Sequence, residues 1–297
     1  NDQIRNQIKK ITIFTKRLTQ SSLSGDYLSA FKGSGLEFDQ IREYQMGDDV
    51  RFIDWNSSAK MNKMMIKQFV QERDRVIILA IDVSSSNLFS SNQELREETI
   101  AQIAATLTFV ATQNKDKVGA LFFSDKIEKW IPPKKGKSHF GKILETIFSI
   151  NKKETLKSNL SSIHEALKFL ISLKRGTASH ARNSIVFMLS DWIDETDNFS
   201  KLLKVASIKF DFVGIRLLDS CEKELQSFGL IDIQDPETGE IITVDTRSKI
   251  NTFLGARKIE QEQLFKKLKI GLLDLTVGKP FVNDMISFFH QRIRRQI

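Results

Sequence analysis

From Val76 onward the chain repeats one pattern, and that pattern limits the fold more than anything else in the sequence. The run Val76-Ile77-Ile78-Leu79-Ala80-Ile81 is apolar at every position and stops at Asp82, and similar runs recur at 118–123 and 184–190, with less complete ones, each holding one aspartate (Asp211, Asp274), at 210–215 and 271–275. A half-exposed strand would alternate polar and apolar residues, so uninterrupted runs of this length predict strands covered on both faces. The segments between them carry apolar residues three and four apart. Ile100, Ile103, Ala104, Leu107 and Val110, for example, mark a helix over 94–113. Further helices are predicted at 140–150, 161–173, 199–207, 249–268 and 281–293. Alternation of this kind predicts an α/β fold, a doubly wound and mostly parallel sheet with helices on both faces. Residues 127–131 are expected to return antiparallel to the strand at 118–123. The turn Asp235-Pro236-Glu237-Thr238-Gly239 separates two strand-like runs, 230–233 and 241–244, and predicts a hairpin inserted at the sheet edge.

The first 75 residues read differently. Residues 4–18 have helical apolar spacing, Ser21, Ser22, Ser24 and Gly25 break it, and turn signals such as Gly33-Ser34-Gly35 and Gly47-Asp48-Asp49 divide short strand-like pieces. The expected organisation is a helical lead-in with a small β-rich region over 1–75, then an α/β domain over 76–297 with its hairpin near 228–246.

The chemistry gathers where the first buried strand ends. Asp82-Val83-Ser84-Ser85-Ser86 places one carboxylate and two hydroxyls, those of Ser84 and Ser86, in a turn at the carboxyl end of a strand. Ligands of open α/β sheets bind at that end. Hard divalent ions such as Mg²⁺ take oxygen ligands and keep several waters, and neutral hydroxyls leave the ion charge to offer an outside carboxylate. Serines after a strand also cap helices, so the string on its own is a weak signal.

This constellation resembles the metal-ion-dependent adhesion site of von Willebrand factor A domains, which have a Rossmann-like sheet. The resemblance implies two further ligands from later loops. Ser158 stands where that family has a threonine ahead of a helix, and Asp191, in Ser190-Asp191, matches an aspartate at the end of the central strand. Asp194, Glu195 and Asp197 lie close by in sequence without an assigned role.

A second set of residues precedes the domain. Gly35-Leu36-Glu37-Phe38, Arg42-Glu43-Tyr44, Gly47-Asp48-Asp49-Val50-Arg51-Phe52-Ile53-Asp54-Trp55 and Ser58-Ala59-Lys60 follow in order, with Asp232, Gly239, Val244-Asp245-Thr246, Phe288-Phe289 and Arg292 further on. Together they resemble the family known as domain of unknown function 58, with Lys60 where the family usually has arginine. The resemblance implies a von Willebrand A-like domain, and a partner of the MoxR-type AAA+ ATPase class, beside which several members are encoded. Physically, Arg42, Glu43, Asp48, Asp49, Arg51 and Asp54 are dense enough to suggest an ion-pair network anchoring the β-rich region to the sheet. The alternative is a surface for a partner.

The net charge is +8, and residues 126–182 hold 13 Lys and Arg against four Glu and no Asp. A basic face attracts acidic partners, nucleic acid included, although Trp130 and Phe140 are too sparse for a base-stacking platform. Cys221 is the one cysteine, which excludes an intrachain disulfide and cysteine-based zinc sites and fits a reducing compartment. No apolar run approaches the ~20 residues of a membrane helix, and the polar first ten residues do not read as a signal peptide. The expectation is a cytoplasmic chain.

Enzyme motifs do not complete. Gly136-Lys137-Ser138 lacks the earlier glycine of a phosphate-binding loop, because that position is Ile131. Phe38 replaces the third glycine of a dinucleotide fingerprint, and no Gly-x-Ser-x-Gly elbow occurs. His139, His164, His180 and His290 form no metal-binding pair. The expected function is therefore non-enzymatic. Mg²⁺, or Mn²⁺ or Ca²⁺, would be held by Asp82, Ser84, Ser86, Ser158 and Asp191 in an adaptor or co-chaperone that captures a partner's carboxylate. The competing expectation is a metal-independent scaffold or nucleic-acid binder using the basic 126–182 stretch.

Overall fold

A computed structural model describes residues 10–12, 15, 27, 36–71, 75–84, 93–150, 162–173, 184–192, 194, 196–218, 230–234, 241–245 and 250–296. Residues 10–12 and 15 are helical, and the rest of the expected lead-in helix lies outside the described residues.

Six strands form the main sheet: β3 (Val76–Asp82), β4 (Lys117–Phe123), β5 (Ile127–Lys134), β6 (Ser184–Ser190), β7 (Asp211–Leu218) and β10 (Gly271–Thr276). Their order is β10-β7-β6-β3-β4-β5. All neighbours are parallel except β5, which returns antiparallel on β4. Every residue of β3 and β6 is buried, as their unbroken apolar runs require.

Three helices cover one face: α2 (Gln93–Gln113), α3 (Lys137–Ile150) and α7 (Val282–Gln296). Ile103 and Leu107 of α2, Ile147 of α3 and Phe289 of α7 pack there against Ile77, Leu79 and Ile81 of β3. The opposite face carries α4 (Ile163–Ser172), α5 (Thr196–Lys209) and α6 (Ile250–Lys267), with Leu167, Leu203 and Phe265 against Ile78, Ala80 and Val186. Alternate residues of each strand feed opposite cores, as the period of two demands. On β7, Gly214 faces α6 so closely that an added Cβ would sit 2.5 Å from the Phe265 ring.

The N-terminal region forms a separate antiparallel pair, β1 (Leu36–Glu43) and β2 (Met65–Gln71). Between them lies a helix, α1 (Trp55–Met61), where strand-like pieces were expected. The reason is local: Asp54 accepts the amides of Asn56 and Ser57 and so caps a helix start. The ion pairs of this region do not anchor it to the main sheet among the described residues. Arg42 forks onto Asp48 at 2.7 Å, Arg51 pairs with Asp49, Lys63 with Glu43 and Lys67 with Asp54. Every partner lies within residues 42–67, and Met46, Val50, Trp55, Met61 and Met64 stand exposed beside them. The hairpin also departs from expectation. β8 (Leu230–Gln234) and β9 (Ile241–Asp245) pair with each other as a two-stranded sheet and not with the edge of the main one. The turn between them lies outside the described residues.

Candidate functional site

The ladders place polar residues in one row across the sheet. Asp82 ends β3 opposite Phe123, Ser190 of β6 pairs with Arg216 of β7, and Arg216 pairs with Asp274 of β10. All are at or near the carboxyl ends of parallel strands, where backbone direction leaves the loops free to carry function.

Asp82 is 2 % exposed and held through both oxygens. The Ser84 amide donates to Oδ1 at 2.9 Å, and the Ser190 hydroxyl donates to Oδ2 at 2.8 Å. Asp191 follows directly on the next strand, and Ser190 Oγ lies 3.4 Å from its Oδ1. A hydroxyl has one proton, so the shorter contact to Asp82 takes it. Arg96, from the first turns of α2, approaches Asp191 Oδ2 at 3.4 Å, with both side chains buried. Of the five residues expected to hold a cation, the structure brings Asp82, Ser84 and Asp191 together. Ser86 and Ser158 lie outside the described residues. The described chain resumes at Ser162, on the same rim. Ser162 donates its amide to the Ser124 carbonyl just beyond β4, and Ile163 donates its own to Asp194 Oδ2 at 2.8 Å.

Asp194 contributes what sequence reasoning left unassigned. Burial raises its pKa to about 6, and the charges of Asp82 and Asp191 push the same way, while the Ile163 amide and Arg257 act against them. Burial is the main cause, and the neighbouring carboxylates add to it. Two guanidinium groups act among these carboxylates, Arg96 on Asp191 and Arg257 on Asp194. Carboxylate and hydroxyl oxygens of this kind match the ligands of a hard divalent cation by donor chemistry. Among the described residues no group of three or more His, Cys, Asp or Glu side chains could hold a metal ion, so a cation here would depend on hydroxyl and water oxygens beside Asp82 and Asp191.

The sign of the Asp194 shift gives a stability prediction. Its folded pKa is raised, so ionisation costs stability above about pH 6, and the cost vanishes below about pH 4. Asp194→Asn keeps an acceptor for Ile163 and removes the charge. In chelator at pH 7.5 it is expected to stabilise the fold by about 1–2 kcal/mol, after allowing for solvent screening. At pH 4 the variant and wild type should melt together, and a stabilisation that persists there would refute the electrostatic account.

Trp192 closes the site from below. It is 1 % exposed, its rings lie edge-on to Phe199 and Phe265, and its indole N–H donates to the Ile215 carbonyl. Its backbone is left-handed, with φ 61°. The Ser190 hydroxyl accepts its amide, and Gln261 of α6 donates to its carbonyl.

Arg96, Ser190 and Trp192 had no assigned part in the sequence reading, yet one of them carried a signal. Arg96 falls four, seven and eleven residues before Ile100, Ile103 and Leu107, on the apolar stripe of α2. A charge on a buried stripe requires a buried partner. Two of the four histidines make structural contacts, His139 with the Val118 carbonyl and His164 with that of Asn198, and His180 lies outside the described residues. Trp130, in the basic stretch, packs edge-on to Phe169, 5.5 Å between ring centroids.

The family profile described as "Protein of unknown function DUF58" matches residues 40–262. An uncharacterized protein of Mycobacterium tuberculosis is 23% identical over 292 residues, 97% of this chain and 89% of its own length. Among solved structures, the conserved hypothetical protein BatB from Bacteroides thetaiotaomicron is similar over 74% of this chain and 99% of its own, at 12% identity and a TM-score of 0.48. A von Willebrand factor type A protein from Catenulispora acidiphila is similar over 77% of this chain and 43% of its own, at 9% identity and a TM-score of 0.40.

Proposed function

Because the chain belongs to the family described as protein of unknown function DUF58, whose description assigns no activity, we propose a function from the site: a protein-binding module that works through a divalent cation. The observation that carries this reading is the placement of Asp82 and Asp191 at the carboxyl ends of β3 and β6, joined through the Ser190 hydroxyl, with Ser84 bound to Asp82. Asp82 and Asp191 would hold Mg²⁺, or Mn²⁺ or Ca²⁺, with Ser84, Ser86 and Ser158 adding uncharged oxygens. When bound, the cation supplies a positive charge and a coordination position open to an outside carboxylate. The chain's own residues do the rest. Ser84 and Ser190 fix the Asp82 carboxylate, Arg96 fixes that of Asp191, and Ile163 fixes that of Asp194.

The partner we propose is a protein offering an aspartate or glutamate, in the first instance a MoxR-type AAA+ ATPase or a client it remodels. A non-enzymatic role in the cytoplasm completes the proposal; no helix among the described residues is long and apolar enough to cross a membrane. The test is capture of partners from native lysate by wild type, by wild type in chelator, and by Asp82→Ala. Partners retained only by metal-loaded wild type support the reading. A partner set indifferent to both treatments would overturn it and move attention to the basic 126–182 surface.

A further inference from the structure

β10 is the last strand of the main sheet, and no described strand pairs with its outer edge. Every second residue of an edge strand turns its N–H and C=O away from the ladder, and natural proteins usually cover or blunt such a row. Here the edge is neither short of residues nor bulged. All six residues from Gly271 to Thr276 pair in continuous register with β7.

A cleft of about 760 Å³ runs along this edge. One wall comes from the end of α6 and the turn after it, with Phe265, Lys266 and Lys269, and the other from α7, with Phe288 and Arg292. These helices lie on opposite faces of the sheet. The lining of the cleft therefore comes from both faces of the sheet at β10, on the side where a seventh strand would lie. Gly271 belongs to this design, because a Cβ there would meet the Phe288 ring at 2.6 Å and push α7 away from the strand.

The walls also carry a sign. Arg216, Lys266, Lys269 and Arg292 line the cleft against Glu262 and Asp274, four cations to two carboxylates. Arg216 is committed to Asp274 and Glu262, and Arg292 to Asp211. Lys266 and Lys269, both exposed, supply the remaining positive field. A second copy of this chain, pairing edge to edge, would bring the same lysines towards each other, which disfavours that occupant.

We infer that the β10 edge is a peptide-docking slot that accepts an acidic extended segment of a partner protein as an added strand. Main-chain hydrogen bonds to β10 supply affinity. Alternate side chains of the guest lie towards Leu272 and Phe265 on one face and Phe288 on the other, while its acids meet Lys266 and Lys269. The slot is separate from the cation site, so its test is independent of that reading.

The probe is a fluorescein-labelled heptapeptide alternating glutamate and valine, titrated into the full chain by fluorescence anisotropy in chelator. Wild type is expected to bind it, and the double reversal Lys266→Glu/Lys269→Glu to weaken binding by roughly tenfold or more at low salt. Two further peptides carry backbone N-methyl groups on odd or on even residues. Only one of these should lose binding, since a strand faces its neighbour with alternate amides. Asp82→Ala should bind like wild type. No binding up to about 1 mM peptide, a weak contact by any standard, would overturn the proposal. So would equal binding of a lysine-valine peptide, insensitivity to both methylation patterns, or an edge-to-edge dimer in sedimentation that the peptide does not dissociate.

Discussion

Replacing Arg96 by methionine is expected to lower the stability of the metal-free protein by about 3 kcal/mol and to make the protein far more responsive to Mg²⁺. Arg96 and Asp191 are 8 % and 3 % exposed along their side chains and lie 3.4 Å apart. Removing one partner of a buried pair leaves the other charge in a medium that solvates it poorly. For a chain of this length the loss corresponds to a melting shift of roughly 6–12 °C. The arginine also weakens any divalent cation near Asp191, because like charges compete for one carboxylate. Without it, a cation binds the folded state more tightly, and stabilisation by a ligand grows with its concentration over its dissociation constant. The melting shift on adding millimolar Mg²⁺ should therefore exceed that of wild type. Calorimetry with and without Mg²⁺ checks both parts. A destabilised variant that gains nothing from Mg²⁺ would separate the ion pair from any cation site.

The second large effect is expected at Arg216. Its guanidinium is 2 % exposed and spans three elements, with two bonds to Asp274 of β10 and one each to Gln261 and Glu262 of α6. Arg216→Ala removes them all, together with the packing of the side-chain stem, and leaves the buried Gln261 carbonyl without its donor. Asp274 and Glu262 are partly exposed and recover water, so the loss falls mainly on the arginine itself and on Gln261. A destabilisation of about 3–5 kcal/mol is expected, read as a lower urea midpoint with an unchanged slope. Arg216→Lys should recover little, because an ammonium cannot reproduce the planar fork that meets Asp274 through two nitrogens. Full recovery by lysine would mean that charge alone matters there.

The parts of the fold that could be read from sequence are those where burial dictates residue type. The strand Ser184–Ser190 falls where its apolar run predicts it, because a strand covered on both faces tolerates no polar residue until it ends. The helix Trp55–Met61 was not read, since its start depends on Asp54 turning its side chain to its own amides, and the same residues also suit a turn. The hairpin was read as a pair, and β8 and β9 do pair with each other, but turn residues specify which strands meet and say nothing of what lies beside them. At the site, Asp82 announces itself as a carboxylate ending an apolar strand. Asp194 does not, because its raised pKa comes first from burial and then from the charges of Asp82 and Asp191, and both depend on distances that only the fold sets.

Trp192 shows what such distances can do. A bulky residue with φ 61° carries backbone strain of about 1–3 kcal/mol and keeps that conformation only where its surroundings hold it. They hold it from two sides at once, with its amide on Ser190, the hydroxyl that grips Asp82, and its carbonyl on Gln261, which in turn grips Arg216. One residue thus ties the rim of β6 to helix α6 like a latch. If α6 moves, it must either release that carbonyl or drag the tryptophan with it, and the tryptophan is bonded in sequence to Asp191. The spring and the catch are the same residue, and its indole is a built-in optical reporter of whether the latch is set.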